Sequence, residues 1–527
     1  MFDRETICFV DQFIVRFRLV TMIGILVIGV GLVLLCRIYL HRRRFLCALE
    51  AIPGSKGLPF LGHVVELLLC NTTDLHEKLE AWVKKYGTRI KIDMFTKIWI
   101  LHSSPEDMET IATSNEFNRK SDDYDVLLEW LGNGILLDHG ASWFANRKAL
   151  TDAFHFKVLE NFIPASQEQS EILSKKLLGF EGQTIDIFPI MKLYTLDVIL
   201  ETAMGVTCSA QLNDSDYVRA VAGLCHITYW RMFNLMGFSD ATFRFTKYYR
   251  PYQEMLKVSN DFTMEVITRR RKELDNSRSQ STRNSADEDR KKRIALLDKL
   301  LEMEVNGRKL NDEEIKCQVN NFMFAGHDTT SSALTFITYL LAKHPDVQEK
   351  LHHEITTVLG STIPPLTTSL LNQLKYMDAV IKESLRVYSP VPYFSRTIDK
   401  EIVLSGVRYP AGTTISCGVY FMHRNPNYFP DPLCFKPERF DTGVNKDRRN
   451  PYVYIPFSAG SRNCIGQKFA MNEIKVALLY IVLRCRFELE NPEYEPRVKA
   501  ELVLKPAGRM PIRFLPRSVD SVTAGNC

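Results

Sequence analysis

Two stretches carry residue types that their surroundings do not call for. In "PFSAGSRNCIGQKFAMNEIKVALLYIVL", residues 456–483, a glycine-punctuated loop delivers a lone cysteine, Cys464, just before an apolar-periodic helix. Backbone N–H groups and a helix N-terminus favour negative charge on sulfur, so a thiol of lowered pKa is expected there. A buried thiolate still needs a counter-charge, and a metal ion is the strongest one. No second cysteine or histidine lies in the loop. A tetrahedral zinc site would have to import ligands from far away, whereas haem iron needs a single proximal ligand.

The second stretch is "NNFMFAGHDTTSS", residues 320–332. It interrupts a helical pattern with Gly326, Asp328, Thr329 and Thr330, each a weaker helix former than alanine. A glycine admits close approach. A threonine either bonds back to a carbonyl one turn earlier or loosens the helix. His327 reads as a packing residue rather than a metal ligand. Elsewhere, Glu383 and Arg386 in "KESLRVYSP" lie at i and i+3 on one helix face, and Trp143 and Arg147 stand one turn apart in "GASWFANRKAL".

Taken together these pieces match a family. The pattern F-x-x-G-x-R-x-C-x-G, filled by Phe457, Gly460, Arg462, Cys464 and Gly466, resembles the haem-binding loop of cytochromes P-450. The resemblance implies haem b with Cys464 as axial iron ligand. Trp143, Arg147, Arg396 and Arg462 match positions that serve the haem propionates. Glu383, Arg386 and Arg439 match a structural network that buttresses the haem core, and Ala325, Gly326, Asp328 and Thr329 match the motif that passes over the opposite face of the haem. There Asp328 and Thr329 are the implied catalytic pair, the carboxylate supplying protons and the hydroxyl organising them.

In detail the chain resembles family four, the fatty-acid ω-hydroxylase branch, and is nearest its V-type and invertebrate relatives. The branch typically places at position 325 a glutamate that esterifies a haem methyl group. Here Ala325 cannot, so a covalent ester is not expected, and the constraint toward the terminal carbon is relaxed. Asn320 and Asn321 also depart from the more usual Asp and Thr.

The elements that must position these residues are mostly helical, with small β-sheets: the P-450 fold, preceded by a transmembrane helix. The stretches "IKIDMFTKIWILH" and "EIVLSGVRYPAGTTISCGVY" alternate as strands do. Residues 19–36 hold no charge and would span about 27 Å as a helix, enough for a thin bilayer. The expected order is a tail at 1–18, the anchor at 19–36, a basic collar and Pro/Gly hinge at 37–62, the catalytic domain at 63–515 and a tail at 516–527. A loop is expected at 269–293, where charged residues crowd and aromatics are absent.

Arg37, Arg42, Arg43 and Arg44 after the span outnumber the arginines before it. The positive-inside rule then places a single-pass protein in the endoplasmic reticulum membrane with its catalytic body cytosolic. Unmodified sequons at Asn71 and Asn213 would agree with that topology. A net charge of +5 over 527 residues is too dilute for nucleic acid. Twelve cysteines without a C-x-x-C pair fit neither a zinc ribbon nor a disulfide scaffold.

The implied function is an NADPH- and dioxygen-dependent hydroxylation of a lipid, a fatty acid at or near its ω end. Electrons would come from NADPH–cytochrome reductase, with cytochrome b5 as a further donor and Lys468 and Lys475 as docking candidates. The segments "SDDYDVLLEWLGNGILL" and "YWRMFNLMGF" are expected to line the substrate pocket. Sterol or xenobiotic oxidation, turnover of a ready-made peroxide, and a catalytically silent haem-binding role are the competing readings.

Overall fold

The computed structural model describes residues 4–517 apart from 60, 95–96, 214, 282–294, 361 and 442–449. Helix α1 (Arg4–Ala48) runs without a break from the tail through the span and the basic collar. Proline first appears at Pro53, so nothing earlier interrupts backbone bonding. The part at Thr21–Ala48 is long and apolar enough to cross a membrane. Below it Arg42 pairs with Asp93, and Leu49 and Ile52 are buried; the collar is where the helix meets the body.

Three of the four strands of the main sheet fall where alternation places them, and the fourth, Tyr393–Thr397, lies ahead of the second alternating stretch. β1 (Arg89–Asp93), β2 (Ile98–His102), β3 (Tyr393–Thr397) and β4 (Thr414–Gly418) form one sheet in the order β1-β2-β4-β3. Only the β2–β4 pair within it is parallel. A hairpin of Val498–Glu501 and Val503–Pro506 projects separately.

Most of the body is helical: α2 (Thr72–Tyr86), α3 (Gly140–Thr151), α4 (Ile163–Leu178), α5 (Ile187–Ile199), α6 (Asp216–Phe233), α7 (Tyr249–Ser281), α8 (Asp312–Lys343), α9 (Lys375–Val387) and α10 (Gln467–Arg484) are its main helices. Helix α8 starts at a capping box, in which Asn311 Oδ1 accepts from Glu314 N and Glu314 Oε2 accepts from Asn311 N. From Ile315 it is buried nearly all round, the mark of a helix inside a large core. It packs along α5 and against α9 and α10, while α10 also lies on α4.

One expectation moves. The loop expected at 269–293 begins later, because α7 continues to Ser281. Its arginines are fixed by partners: Arg270 grips Asp298 (2.6 and 2.8 Å) and the Gly205 carbonyl, and Arg271 pairs with Asp312. Those tertiary anchors make helix out of a charge-rich stretch that composition alone reads as solvated. The remainder of that expected loop lies outside the described residues.

Candidate functional site

A cavity of about 420 Å³ lies where α8, α3, β3 and the loop before α10 converge. Cys464 and Phe457 line it, and the cysteine sulfur opens into this cavity while protein encloses it elsewhere. The loop is held by its own backbone, Cys464 N donating to Phe457 O at 2.9 Å. Gly460, at φ +68°, is forced: a Cβ there would sit 1.8 Å from the Ala112 carbonyl oxygen. At Gly466 the nearest side chains stand 3.9 Å from a Cβ position, one of them Cys464 Sγ.

The thiol differs from expectation. Burial pushes its pKa up, and the Gly466 N–H and the Arg147 charge pull it down without prevailing. The protein alone does not make a thiolate here; a bound cation must supply the remainder.

Around the same cavity stand Lys120, Arg147, Arg396 and Arg462. Arg147 bonds the thiolate loop itself, donating to Asn463 O (3.0 Å) and Oδ1 (2.7 Å). Trp143, expected as a propionate donor, spends its indole N–H on Ile135 O at 3.0 Å and offers its ring to Arg462, 3.9 Å from the ring centre. It is a platform for the guanidinium. Arg462 also donates to Asn118 O and Asp138 O, but its Nη1 and the Arg396 Nε have no partner.

Lys120, which sequence reasoning missed, bridges to Arg396 along the backbone. Burial, then Arg396 and Arg462, push its pKa well down. Burial, then Arg396, push Arg462 down to about 9. No carboxylate pairs with Lys120, Arg396 or Arg462 among the described residues. Such a cluster is electrostatically incomplete without a dianion, and two propionates beside one thiolate ligand satisfy it, so the residues present fit haem. No group of three or more histidine, cysteine or acidic side chains that could hold a metal ion occurs among the described residues.

On the wall given by α8, Ala325, Gly326, Thr329 and Thr330 line the cavity. Thr329 Oγ1 donates to Ala325 O at 2.6 Å, so the hydroxyl is back-bonded and the helix stays intact. A Cβ on Gly326 would meet Ile199 Cδ1 at 2.7 Å, so the close approach it grants is to α5. Asp328 is absent from the cavity lining. It is fully buried between Lys192 on α5 (3.3 Å) and Lys505 on the hairpin (3.1 Å). Although burial favours its neutral form, those lysines hold its pKa far below the carboxylate range. The expected proton source is therefore an ionised carboxylate turned away from the cavity. Neither lysine was visible as its partner, because they lie in distant parts of the chain.

Asn320 and Asn321 act as clamps, Asn320 Nδ2 donating to Trp130 O (3.0 Å) and Asn321 Nδ2 to Leu131 O (2.8 Å). Asn321 Oδ1 accepts from Leu136 N. They fix the 130–136 segment, part of which lines the cavity together with Tyr229, Met232 and Phe233. Both segments expected at the pocket contribute to it.

Behind the site, Glu383 and Arg386 are fully buried and doubly bonded (2.8 and 2.9 Å), and Arg439 Nε adds a third bond at 3.2 Å. Of the docking candidates, Lys468 lies on the surface groove beside the thiolate loop. Lys475 is corrected: it is buried, paired with Asp378 at 2.8 Å and donating to Leu371 O. Although it borders the same groove, its charge is committed to Asp378 and not offered to an outside partner.

The sequence profile of the family described as "Cytochrome P450" matches residues 52–512. "Cytochrome P450 4d10" of Drosophila mettleri is 40% identical over 475 residues, covering 89% of this chain and 92% of that protein. "Cytochrome P450 4d2" of Drosophila melanogaster is 37% identical over 505 residues, 94% and 99%. "Cytochrome P450 4c21" of Blattella germanica is 38% identical over 462 residues, 87% and 92%.

Proposed function

The chain belongs to the cytochrome P450 family, a family of monooxygenases that bind haem b through a cysteine thiolate, and from that premise we propose that it hydroxylates a lipid chain of the fatty-acid kind at or near its ω end. Cys464 is the iron ligand in this reading, and Lys120, Arg396 and Arg462 receive the propionates. Bound haem supplies dioxygen activation at its iron. The observation that carries the assignment is the cysteine sulfur opening into the same cavity as three cations without a carboxylate partner among the described residues, two of them with an unpartnered nitrogen.

The protein's own groups then do the following. Arg147 holds the thiolate loop by Asn463. Thr329 carries a proton on Oγ1, committed at rest to Ala325 O. Asp328 works as a carboxylate: it takes up a proton on release from Lys192 and Lys505, and the neighbouring hydroxyl passes it toward the cavity. The Ala325 methyl leaves haem extractable by acidified solvent and lets in-chain positions compete with the terminal carbon.

Electrons come from NADPH–cytochrome reductase, with cytochrome b5 as a further donor and Lys468 at the docking groove. The apolar helix supports a single-pass anchor in the endoplasmic reticulum with the body cytosolic. Asn71 already caps α2, its Oδ1 accepting from Thr73 N and Asp74 N, a structural use that needs no glycan.

The test is Cys464→Ala against the parent protein, read first in the reduced carbon monoxide spectrum and then in products formed with reductase and a lipid panel. The thiolate-type spectrum should vanish, and only the parent should convert lipid with NADPH. A spectrum retained by the variant moves the ligand elsewhere; a parent with the spectrum but no NADPH-dependent product is a silent haem protein.

A further inference from the structure

One polar group on the substrate wall is used by nothing described so far. Tyr229, on α6, lines the cavity, and its hydroxyl has no hydrogen-bond partner among the described residues. Its surroundings are aromatic: the Phe233 ring lies 4.7 Å away, and Trp99, whose buried indole Nε1 also has no partner among the described residues, packs edge-on against Phe233 at 5.1 Å. A second phenol of the lining, Tyr393 on β3, is hydrogen-bonded to His76 Nδ1 at 2.5 Å. A phenol with no protein partner whose hydroxyl still opens to the cavity is free to bond what the cavity holds. A protein that keeps one on a ligand wall gains by offering it to the ligand.

The charge around these phenols is as telling as their position. Burial holds the His76 pKa down at about 4, so its ring is neutral. Burial, then the Glu501 carboxylate, keep Tyr229 protonated, and burial, then the Tyr229 phenol, keep Tyr393 so. Glu501 is buried, and despite its burial its pKa is down at about 2 because His226 bonds it and the Lys505 and Lys499 charges stand near, Lys499 pairing with it directly. The cations on the cavity surface stand with Cys464 and are assigned to the propionates. A free carboxylate brought to Tyr229 would thus meet two neutral hydroxyls and no cation to offset its desolvation, because Lys499 and Lys505 are committed to Glu501 and Asp328 and do not line the cavity.

We propose that Tyr229, backed by the Tyr393–His76 pair, is the polar subsite that reads an uncharged oxygen function of the lipid, so that the enzyme takes a neutral fatty derivative (an ester, alcohol or amide) in preference to the free acid. This rests on the lipid-hydroxylase reading above and narrows it to a substrate class. An ester or amide carbonyl accepts from Tyr229 Oη. An alcohol can also donate to it.

The experiment uses the full-length holoprotein and four matched probes: methyl laurate, lauryl alcohol, laurate and dodecane. Binding is read by the haem spin-state shift and independently by calorimetry. Methyl laurate and lauryl alcohol should bind roughly tenfold tighter than laurate, and Tyr229→Phe should weaken them by about fivefold to tenfold, the scale of one hydrogen bond, while leaving dodecane unchanged. Glu501→Gln, which keeps the shape and removes the anion, should instead strengthen laurate several-fold. Laurate binding tightest to the parent, Tyr229→Phe weakening dodecane as much as the ester, or Glu501→Gln leaving laurate unmoved would each overturn the subsite. A holoprotein that binds none of the four overturns the lipid reading itself, and the subsite with it.

Discussion

The Glu383 cluster and the Arg396 cluster are both buried and both built on arginine. In the first, one carboxylate accepts from Arg386, Arg439 and the Lys436 backbone N–H, and Arg386 spends its remaining donors on the His423, Pro432 and Cys434 carbonyls. In the second, Lys120, Arg396 and Arg462 crowd around a cavity, and no carboxylate pairs with them among the described residues, the lining Asp123 being paired with Lys97. A closed network of buried charge belongs to the architecture, because it is complete without help. An open one of a single sign marks what the fold is waiting to bind. The comparison makes opposite predictions for the two clusters.

The largest effect is expected from Glu383→Ala. Removing the only anion leaves Arg386 buried and uncompensated, at a cost of about 3–5 kcal/mol. Denaturant unfolding should show it, with little holoprotein recovered; a loss near zero would mean that the network is not closed as described. Next comes Asp328, held between Lys192 and Lys505 and lying one residue from the cavity-lining Thr329. Asp328→Asn should slow turnover by roughly 10²-fold while the carbon monoxide spectrum persists. Unchanged turnover would remove Asp328 from the reaction.

His423 sharpens the closed side by pH. Burial, then the Arg386 charge, lower its pKa from the model-compound 6.5 to about 3. Between those values the unfolded chain binds a proton that the folded chain refuses, so stability is full above about pH 6.5 and falls as pH drops toward 3. From pH 6.5 to 5 that is about 2 kcal/mol. Urea unfolding of the parent should weaken more over this interval than that of His423→Gln, and parallel slopes would contradict the assignment.

The smallest effect is the most discriminating. Arg396→Met relieves repulsion in the open cluster, so the apoprotein should gain about 1 kcal/mol, while haem should pass to apomyoglobin faster than from the parent. An apoprotein destabilised by the change would show that Arg396 is structural, like Arg386.

Much of the site was legible because its signals are local. The loop around Cys464 is one run of residues in which Gly460 has no alternative to glycine, and Glu383 and Arg386 meet across a single helical turn. The strands at β1, β2 and β4 follow from alternation, and the apolar stretch inside α1 from the absence of charge. What pairs across the chain was not legible. Lys120 gains meaning only when β3 brings Arg396 beside it. Arg271 extends a helix only by finding Asp312. Trp143 loses its expected role because the Ile135 carbonyl takes its N–H.

The sequence by itself determined which groups this chain possesses and which lie on a common turn or strand, since those relations follow from backbone periodicity. It therefore determined a cysteine loop, a hydroxyl and an acid side by side, and a long apolar N-terminal helix. Tertiary structure alone decided their states. Asp328 is ionised because α5 and the hairpin deliver lysines to it, the Cys464 thiol is raised because the fold buries it, and the Tyr229 hydroxyl is free because no neighbour reaches it. Charge state and hydrogen-bond satisfaction depend on which distant segments come within a few ångströms, and only packing fixes that.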